Sequence, residues 1–388
     1  MSTRKVLIVG GGISGMSLAV AAQRRRIDID VVELERKVLG VGIFLTGSTL
    51  RSLDSIGLAR QCCLQGWPAK ALRFFDGAGN YLGESPFPLI AAPDLPRATG
   101  IPRPTLARIL DSAAKEAGVT VRLGLTVDAI EQDEDDVGVF FSDGTTGRYD
   151  AVVGADGIYS HVRELVFDAA LRPKHAGQGG WRFMTPRHAE VDGMMLYTAG
   201  DLKAGFVPLN GEWMYLLCTM ADPDKIRVGP GDGPALLRRT LEAFSAPLVQ
   251  EMRERMRTAD PATVMWRPFE TLLMNDGWSR GRVVLIGDAA HSMTPHLSSG
   301  GGMAIEDAVI LAGYLSGDMP VAEALRTFYA SRIERVRKIQ GISMEICKEE
   351  LLPHPSRERI FDLTAEGYDA LAIDFADPMD LCPLMQES

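Results

Sequence analysis

Apolar residues in this chain fall into two rhythms that alternate along its length. Short unbroken runs at residues 6–9 (VLIV), 151–153 (AVV) and 283–286 (VVLI), and a run from Ile29 to Glu33, have the composition of parallel strands covered on both faces. After the first and last of these the spacing becomes helical, with Met16, Ala19, Val20 and Ala22 in one case and Ala304, Ala308, Leu311 and Leu315 in the other. Further helices are predicted over 48–56, 105–117, 236–244 and 248–256, and a long one from Val321 to about Cys347. Strand-like runs at 119–125 and 137–141 bracket an acidic stretch, 131–136, that reads as a solvated turn. Six prolines between Pro86 and Pro104 exclude a helix interior or a central strand there. From 167 to 276 the character changes: runs at 194–197, 206–209 and 213–219, separated by glycine and asparagine turns, predict an antiparallel sheet.

The expected fold class is therefore α/β. A Rossmann-like domain is assembled from residues 1–72, 99–166 and 277–345. A mostly antiparallel sheet domain, 73–98 and 167–276, is inserted into it, and a helical C-terminal tail, 346–388, follows. The chain's 388 residues agree with one large domain plus a second, and 46% hydrophobic content supplies a core. A formal charge of −10 and a pI near 5.2 argue against nucleic acid or an anionic membrane as partner, because phosphates would be repelled. Cys62, Cys63, Cys218, Cys347 and Cys382 are odd in number and have no C-x-x-C spacing, so neither a disulfide framework nor a zinc site is expected. With no targeting segment or membrane span in the pattern, a reducing cytoplasm is the expected compartment and a small molecule the expected partner. The protein is expected to be a monomer or homodimer.

Chemistry concentrates where apolar strands end. Residues 6–9 run into Gly10-Gly11-Gly12-Ile13-Ser14-Gly15, a G-x-G-x-x-G ahead of a helix, and Glu33 closes the next strand 18 residues after Gly15. That spacing suits a dinucleotide, with the pyrophosphate on the helix N-terminus and the acid on ribose hydroxyls; Glu35 is the alternative ribose ligand. Asp156-Gly157 and Gly287-Asp288 likewise place a carboxylate beside a glycine at a strand end, and Ser160 is positioned to cap the helix after the first of them. Gly300, Gly301 and Gly302 read as a bare-backbone loop feeding a helix N-terminus, where unpaired N–H groups and the positive dipole end favour an anion or an electron-rich ring.

Three motifs in this order resemble the single-component FAD-dependent aromatic hydroxylases, the family of p-hydroxybenzoate and salicylate hydroxylases. They are Gly10-x-Gly12-x-x-Gly15 with Glu33; Asp156-Gly157-x-x-Ser160-x-x-Arg163; and Gly287-Asp288-Ala289-Ala290-His291 with Pro295 and Ile305-Glu306-Asp307. The resemblance spans about residues 4–345. It implies FAD as cofactor, NADH or NADPH as electron donor, and molecular oxygen passed through a flavin hydroperoxide to a small aromatic or heteroaromatic substrate. It implies further that Gly10, Gly12, Gly15 and Glu33 hold the AMP half of FAD, with Arg103 near the pyrophosphate and Asp288 on the ribitol chain. Asp156 and Gly157 match a motif linked to FAD and nicotinamide-nucleotide binding, and Gly301 and Gly302 offer N–H groups to the isoalloxazine. Ser299 and Gly302 stand where the family often has Gln and Asn, so that contact would be backbone-borne.

Pro295 and His296 are the candidate catalytic residues, lining the flavin's reactive face; an imidazole there can take a phenolic proton. His291 reads as a loop brace, and Trp181-Arg182 as a packed tryptophan with a solvated arginine. The histidines lack ligand spacing, so no metal is expected. Residues 181–186 lack the second Trp and the Ile of a halogenase's W-x-W-x-I-P. An FAD-dependent reductase or dehydrogenase of the same fold, and a non-enzymatic FAD-binding sensor, remain as alternatives.

Overall fold

The computed structural model describes residues 4–35 and 40–373. A six-stranded sheet runs in the order Ser279–Arg280, Val283–Leu285, Ala151–Gly154, Lys5–Val9, Asp28–Glu33 and Thr120–Leu123, parallel except at the first pair. Lys5–Val9 lies between the strand that follows it through helix Ile13–Gln23 and one that arrives about 140 residues later, which makes its carboxyl end a topological switch point. Its side chains Val6, Leu7 and Ile8 are fully buried, as an all-apolar run in a two-sided parallel sheet must be.

A seven-stranded sheet draws its strands from two distant segments. Its order is Val264–Thr271, Lys174–Pro186, Trp213–Ala221, Leu202–Pro208, Met194–Ala199, Ala71–Asp76 and Tyr81–Pro86. Only Met194–Ala199 with Ala71–Asp76 is parallel. Register explains why polar–apolar alternation is hidden in it. Trp181, Met195, Phe206, Leu216 and Cys218 point to one face and pack against helices Gly233–Thr240 and Pro247–Arg255. Phe74, Leu196, Gly205, Leu217 and Arg182 form a row across the other face, which looks toward the parallel sheet's ligand edge. Both faces are covered, so both are apolar.

Several local expectations need correction. Ala98–Pro102 is the central strand of a small sheet, between Gly42–Leu45 and Trp67–Ala69, because the stretch from Ala98 to Ile101 is free of proline and Pro102 takes only the end. The 119–125 run holds one strand, Thr120–Leu123, which joins the parallel sheet; a second strand, Val127–Gln132, lies beyond it and pairs with Val137–Phe141, leaving only 133–136 of the acidic stretch as the turn. Helix Gly300–Ser316 takes the three glycines into its first turn instead of leaving them in a loop. The long helix, Val321–Glu350, runs three residues past Cys347, and a further helix, Arg357–Ala372, follows the two prolines; the tail from 374 on lies outside the described residues. Among the described residues no helix is long and apolar enough to cross a membrane, and Cys62, Cys63, Cys218 and Cys347 are free thiols.

Candidate active site

Three acids sit at the carboxyl ends of parallel strands, Asp288 and Asp156 on one side of Lys5–Val9 and Glu33 on the other, and each is handled differently. Glu33 accepts the Gly11 N–H at 2.6 Å through one oxygen and the Glu35 N–H at 2.8 Å through the other. Each carboxylate oxygen keeps a lone pair for a ribose hydroxyl. Asp156 accepts the N–H groups of His161 and Val162 at 2.8 and 3.0 Å through one oxygen, while its other oxygen is buried without a partner. Burial raises the Asp156 pKa. Ser160 caps helix His161–Val166 by accepting the Arg163 N–H, as its position predicts. The Arg163 guanidinium, fully buried, donates to Ala289 O at 2.8 Å and Ile158 O at 2.8 Å, tying the Asp156 loop to the Asp288 loop.

Gly10, Gly12, Glu33, Glu35, Arg103, Asp156 and Gly157 line one cavity of about 540 Å³. Gly10 has φ 112°, a conformation reserved for glycine, and a Cβ on Gly15 would lie 1.9 Å from the Gly10 carbonyl. Gly15 therefore serves helix–strand packing, while a Cβ at Gly12 would meet nothing, since that backbone faces the open cavity. Arg103 also lines a second chamber, of about 290 Å³, with Asp288, Pro295, His296, Gly300, Gly301, Arg182, Lys203 and Tyr215. The Asp288 carboxylate is open to this chamber yet deep in the protein, and desolvation raises its pKa against the pull of His291 and Arg103. Gly302 is not part of the lining; it packs against Thr49.

The chamber's loop, 287–298, is laid along the long helix. Arg332 reaches Asp307 at 2.9 Å, and Asp307 in turn accepts the Gly287 N–H at 2.9 Å and meets His291 Nε2 at 2.5 Å. Gln340 donates to Ser292 O at 2.7 Å, and Ser343 to Thr294 O at 2.8 Å. Glu350 lies 3.2 Å from His296 Nε2, which also meets Gln178 Oε1 at 3.0 Å. Positions 332, 340, 343 and 350 share one helical face, so one rigid element sets the loop's course.

His296 is 1% exposed in its side chain, and burial lowers its pKa against the opposing pull of Glu350, which keeps the ring neutral near neutral pH. Burial works against the Glu350 carboxylate too, but Lys203, ion-paired with it, and His296 hold its pKa below the usual range. Arg182 is not the solvated arginine its sequence suggests. Its side chain lines the chamber, donates to Trp181 O at 2.8 Å and lies over the Tyr215 ring, and desolvation pulls its pKa down. Trp181 is packed, 1% exposed, against Trp266.

The FAD binding domain family matches residues 3–339. The 2-heptyl-3-hydroxy-4(1H)-quinolone synthase of Pseudomonas aeruginosa is 31% identical over 95% of this chain and 99% of its own length. The chain belongs to the FAD binding domain family. It is an FAD-dependent monooxygenase of the aromatic hydroxylase group. An FAD-dependent urate hydroxylase of Klebsiella pneumoniae is 29% identical over 86% of this chain and 87% of its own. The structure of Klebsiella pneumoniae HpxO complexed with FAD and uric acid superimposes with a TM-score of 0.81 at 26% identity, covering 98% of this chain and 96% of that one.

The monooxygenase's own residues fit FAD on chemical grounds. A glycine-walled cavity with an acid placed for ribose joins, at Arg103, a chamber that presents a free carboxylate and a helix N-terminus. The unpartnered Asp156 oxygen at the cavity wall leaves an acceptor for a donor from a ligand. Among the described residues no group of three His, Cys, Asp or Glu side chains could hold a metal. Sequence reading passed over Lys203, Tyr215 and Glu350. Only Arg182 left a signal, as a lone charge inside an apolar strand run.

Proposed function

We propose that this monooxygenase uses NADH or NADPH and oxygen to hydroxylate a small aromatic or heteroaromatic ring held in the 290 Å³ chamber. The balance is ring C–H plus O2, NAD(P)H and a proton, giving ring C–OH, NAD(P)+ and water. Bound FAD supplies the redox chemistry with the nicotinamide donor and oxygen. Gly10, Gly12 and Glu33 hold its adenosine end, with Gly15 letting the helix pack close on the strand behind them, and Arg103 its pyrophosphate; Asp288 takes the ribityl hydroxyls. Asp156 and Gly157 border the nucleotide cavity, and the N-terminus of helix Gly300–Ser316, at Gly301, favours negative charge on the flavin ring. FAD thus rests on the parallel-sheet segments, 1–72, 99–166 and 277–345, and the substrate against the inserted sheet of 73–98 and 167–276.

One observation carries the reading: a neutral histidine and a half-buried arginine, His296 and Arg182, look into the same small chamber as the carboxylate and helix terminus suited to flavin. His296 accepts the proton of a ring hydroxyl or N–H, making the ring a better nucleophile, and Arg182 stabilises the anion that results. Pro295 shapes the wall and helps exclude water. The two relatives' names, for a urate and a quinolone enzyme, both describe nitrogen heteroaromatic rings, which supports a heterocyclic substrate.

The test is a panel of hydroxylated aromatics and N-heterocycles with FAD-loaded protein, NADH or NADPH, and 18O2. A product carrying one 18O atom, with donor consumption stimulated by the same compound, is expected. Donor oxidation that no ring stimulates, or a product reduced without oxygen, would contradict the proposal. Arg182→Gln should raise KM for acidic rings by about 10- to 100-fold, the worth of a hydrogen bond to a charged group.

A further inference from the structure

The chamber beside the proposed flavin site is small for a ring and a flavin together. Its roughly 290 Å³ are shared among Asp288, Gly300 and Gly301 on one side and Arg182, Tyr215 and His296 on the other. That is at the low end of the ~300–1,000 Å³ of ordinary small-molecule pockets, and the flavin end takes part of it. The chamber does not stop there. Leu196, Lys203 and His296 also line a neighbouring cavity of about 670 Å³.

This outer cavity lies between the inserted sheet and the C-terminal helices. Leu72, Phe74 and Leu196 come from the sheet, Ile346 from the long helix, and Ile360 and Phe361 from Arg357–Ala372. The Phe74 and Phe361 rings pack against each other, centroids 5.2 Å apart, and form one continuous apolar wall. Its outer charges, Glu84, Asp201, Arg357 and Glu358, are exposed, so the rim is wet and the floor apolar. A nicotinamide nucleotide would set phosphate charge against that apolar floor, since Arg357 stands at the wet rim and Lys203 is already paired with Glu350. An aliphatic group would lose only water.

We propose that the substrate is an aromatic ring carrying an aliphatic arm, with the ring in the flavin-side chamber and the arm passing over Leu196 into the cavity walled by Phe74, Ile346 and Phe361. The junction is where Lys203, Glu350 and His296 meet, so polar atoms belong on the ring side and apolar ones beyond. This rests on the reading above that the flavin-side chamber takes the ring.

Calorimetric titration of the FAD-loaded full chain with phenol, 4-n-alkylphenols from methyl to heptyl, and 1-heptanol tests it. Kd should fall roughly fourfold per added methylene over the first several, from the transfer free energy of a buried CH2. Phe361→Asp should flatten the series and leave the Kd of phenol unchanged. Leu82→Asp, at a half-exposed rim position where folding is not at stake, should weaken only the longest members. Phenol binding with no gain from chain length overturns the arm and leaves the ring reading standing. Heptanol binding as tightly as 4-heptylphenol overturns the ring half instead. Failure of every member to bind, or chain-length gains untouched in both variants, overturns the proposal outright.

Discussion

Two histidines five residues apart on one loop each meet a buried carboxylate, and the two pairs are built for different work. Beside Arg332, in the first half of the long helix, His291 meets Asp307, which also holds Arg332 and the Gly287 N–H; Glu306 adds ion pairs to Arg332 and Arg335. About 27 Å along the helix axis, 18 residues on, His296 meets Glu350, which pairs with Lys203 and Gln178. The first cluster is sealed, with Asp307 and Arg332 fully buried and His291 packed on Trp278. The second borders two cavities. Residue types do not distinguish a brace from a working site; access to a cavity does. The sealed cluster shapes the turn that presents Asp288, and the open one presents a neutral imidazole to the chamber.

The sealed cluster should fail hardest when broken. Asp307→Asn removes the charge that Arg332 faces in the core, and is expected to cost about 3–5 kcal/mol, read by denaturant unfolding. Its sign with pH is fixed by the wild-type shift. The Asp307 pKa is lowered in the folded state: burial raises it, but His291, Arg332 and the hydrogen bonds it accepts outweigh burial. The stabilisation is therefore present above the unfolded carboxyl value and lost as pH falls through the folded one. Asp307→Asn should lack this acid-side slope.

Glu350→Gln sharpens the comparison from the other side. Water in the adjoining cavities can solvate Lys203, so the expected stability cost is smaller, about 1–3 kcal/mol. Its functional signature is a pH profile. In the wild type His296 titrates below its ordinary value, so product formation that needs the neutral ring should hold at full strength above about pH 6.5 and fall only at lower pH. Glu350 opposes that lowering, and removing its charge should move the acid limb lower still. An acid limb that moves up would contradict the assignment of Glu350 as the group acting on His296.

The parts of the site that were legible in the sequence are those whose demands are local. Gly10, Glu33, Asp156 and Asp288 were readable because an apolar strand ending in glycine and acid constrains the backbone within a few residues. The open cluster was not readable. Glu350 meets Lys203 across 147 residues and Gln178 across 172, and no local pattern joins such distant positions. Arg182 was misread because the sheet is covered on both faces, so the usual inference from polar residue to solvent failed. Gly302 was credited with the flavin chamber when its lack of a side chain answers to Thr49, and the glycine run that looked like a loop is already helix.

The most direct test places His296→Ala and His291→Ala side by side, measuring FAD affinity together with the ratio of hydroxylated product to hydrogen peroxide in the presence of donor and ring substrate. His296→Ala is expected to bind FAD as the wild type does and still oxidise NAD(P)H, while product formation drops by about 10²–10⁴-fold and peroxide replaces it. His291→Ala should lose stability and FAD affinity, with the ratio preserved in whatever protein remains loaded. Unaltered coupling in His296→Ala, or the same loss in both variants, would contradict these expectations.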